Sequence, residues 1–168
     1  VRPNRTPPVL GGSDAMSYRE RILAHVPEGA DFDPLMVLYL TDATTPEMVA
    51  EAAASPHVQG IKLYPAGETT NSDAGVTGIK ALYPVFAAME RHDVPLLIHG
   101  EVTDHHVDIF DREKAFIDSA LIPIVSAFPA LRIVFEHISS TSSVLVPPAF
   151  NLMSCLRMLF RVVFRLCF

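Results

Sequence analysis

With 168 residues, 49% of them apolar and 19% charged, the chain has the makings of one packed domain or part of a larger one, and it is not a disordered polymer. A net charge of −6, with no basic stripe in residues 1–140, argues against a nucleic-acid surface. Two cysteines, Cys155 and Cys167, make neither a disulfide framework nor a paired zinc motif, so a reducing compartment is the default.

The opening VRPNRTPPVLGG has no apolar stretch behind its arginines and so is not a signal peptide; without an initiating methionine it reads as a start in mid-protein. A helix is expected over about Ala15–His25. Leu35–Leu40 is a short apolar run of strand formers, closed by Thr41-Asp42. Thr44-Thr45-Pro46-Glu47 then starts a helix, with hydroxyl caps, a proline in the first turn and an early carboxylate favoured by the helix dipole. Alanines carry it to Ser55-Pro56. Val58–Tyr64 reads as the next strand, and Gly67–Asp73 is too polar to be anything but a loop. Ile79, Leu82, Val85, Phe86 and Met89, spaced by threes and fours, predict a helix over about Thr77–Arg91. Leu96–His99 is a third strand. A long helix is predicted over about Asp111–Phe128, with Phe116, Ile117, Ala120, Leu121 and Ile124 inward and Pro123 as a kink. Leu131–His137 is the fourth strand, and Val1–Asn4 reads as the stub of an earlier one.

This is a βα repeat of about 35–40 residues whose strands are near-continuous apolar runs. Such runs imply a parallel sheet covered by helices. A doubly wound sheet and a closed barrel both satisfy the pattern.

Lys62, His99 and His137 fall at or near the ends of three successive strands, 37 and 38 residues apart. In a parallel barrel those ends converge on one rim, where active sites are built. Imidazoles suit zinc and related ions. A lysine ammonium repels a cation and becomes a ligand only if its neutral amine takes up carbon dioxide to form a carbamate, which burial promotes by lowering the amine pKa. Plainer readings stand beside this one. A strand-end histidine commonly packs or hydrogen-bonds, and a strand-end lysine commonly snorkels. His105-His106 reads as a solvated loop, and His25, His57 and His92 as exposed. Glu101 orients a ligand or makes an ordinary hydrogen bond, and Tyr64 lines a site or packs.

The segments IKLYPAGETTNSDAGVT, PLLIHGEVT, DIFDREKAFID and LRIVFEHIS, in this order and spacing, closely resemble the single-function bacterial and plant type of dihydroorotase, within the amidohydrolase superfamily. The resemblance covers about residues 1–140. It implies an α/β fold, part of a (β/α)8 TIM barrel comprising about four βα units, with two zinc ions on its carboxyl rim. It also implies that Lys62 is the carbamylated metal bridge, that His99 and His137 are metal ligands, and that Asn4, His99, Thr69 and Thr70 bind substrate. Asn4 stands in RPN where the family has MPN, and Thr69 and Thr70 stand in the loop that closes over substrate. The implied reaction is the reversible cyclisation of N-carbamoyl-L-aspartate to dihydroorotate in pyrimidine synthesis. The implied partners are that small substrate and a second copy of the chain. The implied setting is the cytoplasm, or an organelle if a transit peptide precedes.

Two family features are missing from the sequence. No His-x-His pair occurs, and no aspartate follows His137, so the family's general base has no counterpart and no catalytic residue is assigned. Four strands are also too few for a closed barrel of about 250 residues. Residues 141–168 form a second, divergent segment, an apolar tail in which Arg157, Arg161 and Arg165 recur every fourth residue. It reads as an interfacial helix, a spanning helix or an aberrant reading frame. The last is the expectation, and membrane contact is not. The chain is accordingly expected to be a dihydroorotase fragment with little turnover, or else a non-catalytic module that associates with a full-length homologue.

Overall fold

Parallel strands joined by helices define the molecule, as a computed structural model shows for residues 1–144 and the backbone of residues 152–154. The strands are β1 (Met36–Leu40), β2 (Val58–Leu63), β3 (Leu96–His99), β4 (Ile133–Glu136) and a short β5 (Leu152–Ser154). They pair in sequence order, all parallel, with an irregularity between Met36 and Leu38 where β1 meets β2. β5 adds a strand to the four expected. The Arg157, Arg161 and Arg165 stripe lies outside the described residues.

Side chains alternate across a strand, so register assigns each residue to a face. Leu38, Leu40, Ile61, Leu63, Leu96, Ile98, Ile133 and Phe135 point into the core shared with the helices. Tyr39, Lys62, Leu97 and Val134 lie in one cross-strand row on the opposite face. His99 pairs with Glu136 one row further along.

The helices follow their caps and prolines. α1 (Gly12–Leu23) starts three residues earlier than expected, because the Asp14 carboxylate accepts the amides of Leu10 and Gly11 at 3.1 and 3.2 Å. α2 (Pro46–Ala54) begins as expected, with Thr45 Oγ1 accepting from Met48 N. The helix expected from Thr77 starts at Ile79 with a 3-10 turn to Leu82, and only then becomes α3 (Tyr83–Arg91). Two causes are visible. Thr77 donates its amide and hydroxyl to the Asp42 carboxylate at 3.0 and 2.6 Å, and Pro84 has no amide hydrogen, which suits only a first helical turn.

Over Arg112–Ala127 the expected helix forms without breaking. Just ahead of Pro123 it carries a π segment, Ile117–Leu121, between α4 (Arg112–Phe116) and α5 (Ile122–Ala127). The amide of Ile122 reaches the carbonyl of Ile117, and this wider turn makes room ahead of Pro123, whose ring would collide with a carbonyl four residues back. α6 (Thr141–Val144) is one short turn.

The core is continuous between sheet and helices. Phe86 stands edge-on to Phe128 at 5.9 Å, Tyr83 meets Phe128 at 5.1 Å, and Phe116 stacks on Phe135 at 6.3 Å. Each fully buried side chain of this size stabilises the fold by about 1.5–3 kcal/mol. Residues 1–4 form no strand, contrary to the sequence reading. Pro3, Pro7 and Pro8 remove donors from this segment, yet it still lies along β1: the Val1 amino group donates to Leu35 O at 3.1 Å and Tyr39 N to Val9 O at 2.7 Å. Among the described residues, no helix is long and apolar enough to cross a membrane.

Candidate functional site

On the sheet face turned away from the helices lies a cavity of about 470 Å3, lined by Lys62, Tyr64, Thr69, His99, Glu136 and His137 among others. Apart from Thr69, each comes from a strand or its immediate end. Lys62 is the fifth residue of β2, His99 the last of β3, and Glu136 the last of β4. The three residues singled out from spacing therefore meet at one place. Their levels are not equivalent, as near-equal spacing had suggested: Lys62 lies level with Leu97, His99 is one row higher, and His137 has already left β4. His137 adopts φ 55°, and this left-handed turn leaves its ring 5.4 Å from that of His99.

Lys62 is 2% exposed, and its ammonium is ion-paired with Glu136 Oε2. It also lies 4.9 Å from the Tyr64 ring. Tyr64 is buried and faces His99 at 5.8 Å, so it lines the cavity. Glu136 is the hub, since the same oxygen lies 3.9 Å from His137 Nε2. Nothing in an apolar strand pattern pairs an acid with a lysine 74 residues away, and the signal available was only the adjacency of Glu136 to His137.

His99 is half-buried. Burial, helped by the nearby Lys62 and His137, holds its imidazole below the ordinary histidine value. Its Nε2 lies 2.8 Å from the buried Glu68 Oε2. Burial also pushes the Glu68 carboxyl upward. Glu101 completes a group whose donor atoms all lie within 4.8 Å of one another. Glu68, read as part of a polar loop, was missed.

That loop is tightly tied. Ser72 is fully buried; its hydroxyl accepts from Thr69 N at 2.8 Å and donates to Thr69 O at 2.5 Å. Asn4 is 4% exposed and donates from Nδ2 to Thr70 O at 2.8 Å, which fixes the loop from behind, while its Oδ1 has no partner. Thr69 lines the cavity; Thr70 is exposed, and Asn4 is not among the lining residues. His105 and His106 are exposed, as are His25 and His92, whereas His57 is half-buried and 3.9 Å from Asp33.

Gly100, next to His99, lets the chain pass close over the core rings on the far side of the sheet. A Cβ there would stand 1.8 Å from Phe135 Cε2 and 3.1 Å from Phe116 Cδ1.

A parallel sheet of βα units with charged and imidazole side chains gathered at its carboxyl edge defines a class. The chain belongs to the amidohydrolase family, whose profile matches residues 18–151. Within that family it is similar to dihydroorotases. It is 60% identical over 144 residues to the dihydroorotase of Idiomarina loihiensis, and 58% identical over 144 residues to that of Microcystis aeruginosa. Each match takes in 86% of this chain and 42% of the relative, so the chain spans about two fifths of the length of these relatives. A crystal structure of dihydroorotase from Campylobacter jejuni superposes with a TM-score of 0.80 at 35% identity, covering 90% of this chain and 44% of the other. A Saccharomyces cerevisiae dihydroorotase in complex with 5-fluoroorotic acid gives 0.77 at 32% identity, covering 90% and 46%. The fold is thus α/β, and the described sheet is part of the family's TIM barrel.

Proposed function

We propose that this chain carries part of a dihydroorotase site, one that interconverts N-carbamoyl-L-aspartate and dihydroorotate by closing and opening a cyclic amide. The observation that carries this reading is the convergence of Lys62, His99, His137 and Thr69 on one cavity, in a chain whose relatives are dihydroorotases. The small cyclic substrate matches a cavity of about 470 Å3. A second copy of the chain as partner and a cytoplasmic setting belong to the same reading.

Metal ions, assigned here as zinc, would be held by Lys62 in carbamylated form together with His99 and His137. The donor set on the His99 side fits: its imidazole stands 2.8 Å from a buried Glu68 carboxylate oxygen, with Glu101 completing the group. Such an ion, when bound, lowers the pKa of water and polarises a carbonyl oxygen. The residues themselves do the rest. Tyr64 forms an aromatic wall, and Thr69 offers a hydroxyl at the mouth from a loop tied down by Ser72 and Asn4. As an ammonium, Lys62 is balanced by Glu136. A carbamate would replace that cation with an anion, and Glu136 would then have to release it.

Equilibrium dialysis of the whole chain against zinc tests the reading, with H99A/H137A as control. Zinc retained by the parent and lost by the variant is the expected outcome; equal zinc in both would refute it. Hydrolysis of dihydroorotate should stay at background, because the sequence has no His-x-His pair and no aspartate after His137.

A further inference from the structure

One buried carboxylate takes no part in the cavity. Glu113, in α4, is 4% exposed, and five hydrogen bonds converge on it. Its Oε2 accepts the amide and hydroxyl of Ser139 at 2.8 and 3.0 Å. Its Oε1 accepts the amide and hydroxyl of Ser140 at 3.0 and 2.6 Å, and also the hydroxyl of Ser143. Burial opposes ionisation, but these donors outweigh it and hold the carboxyl below its ordinary range.

The three serines all follow β4 directly, and Ser139 is only two residues beyond His137. His137 carries a positive φ, a conformation that costs an L residue energy and persists only where its surroundings enforce it. On the upstream side, β4 fixes the chain through Glu136. On the downstream side, the serine cluster on Glu113 is the next anchor. Glu113 is itself seated firmly, because Phe116, one turn on, stacks against Phe135 of β4.

We propose that Glu113 is a positioning residue for His137, gripping Ser139, Ser140 and Ser143 so that the chain leaves β4 through the left-handed turn that presents the imidazole to the cavity. The inference rests on the functional reading of His137 given above. A purely local role, as support for the short helix α6, would leave the imidazole unaffected.

The test uses the full chain labelled with 15N, and reads amide exchange at Ser139 and Ser140 together with the His137 ring resonances. In E113Q those two amides should exchange at least tenfold faster while β1–β3 amides keep their rates. His137 is already largely exposed, so its ring shifts should move through the lost contact with the His99 ring, 5.4 Å away, while its chain turn relaxes. S143A, which removes one bond of the five, should give a smaller change of the same kind, and it carries the comparison should E113Q fail to fold. Unchanged exchange, or faster exchange with an unmoved His137 ring, would overturn the proposal. Zinc added to the parent chain separates the two readings: no response at His99 and His137 defeats the metal site, while the exchange and ring data still decide the role of Glu113.

Discussion

Gly100→Ala adds one methyl group where the molecule has no room for it. The new carbon would lie 1.8 Å from Phe135 Cε2 and 2.4 Å from Cζ, against about 3.5–4.0 Å for carbon atoms in contact. Phe135 is 1% exposed and stacked on Phe116, so its ring cannot swing into solvent. Overpacking of this kind costs about 1–3 kcal/mol, and the depth of the overlap places it at the upper end. Gly100 is not among the glycines with positive φ, so alanine gains about 0.4–1 kcal/mol through the unfolded chain. The net is a loss of about 2 kcal/mol. For a chain of this size that lowers Tm by about 4–8 °C, measurable by circular dichroism. Gly12→Ala is the control, since nothing lies within 4 Å of its new carbon; it should hold or raise Tm. The double variant G100A/F135L should recover part of the loss, because the collision is with that ring. A G100A chain as stable as the parent would show that the Phe135 ring yields to the added methyl group at no cost.

Other substitutions probe the core, the loop and the buried acid. Phe86→Ala, at a fully buried position, should cost about 3–5 kcal/mol, read as a lower urea midpoint; a loss under about 1 kcal/mol would place Phe86 outside the core. Asn4→Ala removes both the bond to Thr70 O and a buried oxygen without a partner, so stability should change by less than about 1 kcal/mol while loop amides such as Gly67 exchange faster; unaltered exchange would rule out the tie. The carboxyl of Glu113 is held below its ordinary value, so its stabilisation is complete above the unfolded glutamate pKa of about 4.3 and disappears as pH falls through the lower folded value. The Tm gap between the parent and E113Q should therefore close on acidification. A gap independent of pH would contradict this.

The repeat of strands and helices was readable because buried strands and amphipathic helices leave periodic traces. The inward set Phe116, Ile117, Ala120, Leu121 and Ile124 is buried as spacing required. Boundaries moved where side chains compete for backbone groups, as Asp14 does at α1 and Asp42 does at Thr77. Of the candidate site, Lys62, His99 and His137 were legible because each lies at or near the end of a strand, and the structure gathers them at one cavity. Their acid partners were not. Glu136 and Glu68 lie 74 and 31 residues from the bases they meet, and such pairings depend on register and loop path, which leave no periodic trace. The serine cluster on Glu113 was hidden for the same reason.

The π turn at Ile117–Leu121 gives the long helix two phases. Ahead of it, Glu113 and Phe116 address β4 and the segment beyond; behind it, Phe128 addresses the aromatic pair of α3. Excising a single residue such as Ser119 would restore ordinary winding and rotate one half against the other by about 100°. A deletion invisible to any hydropathy plot would thus uncouple the carboxyl end of β4 from its anchor while leaving every core side chain in the sequence.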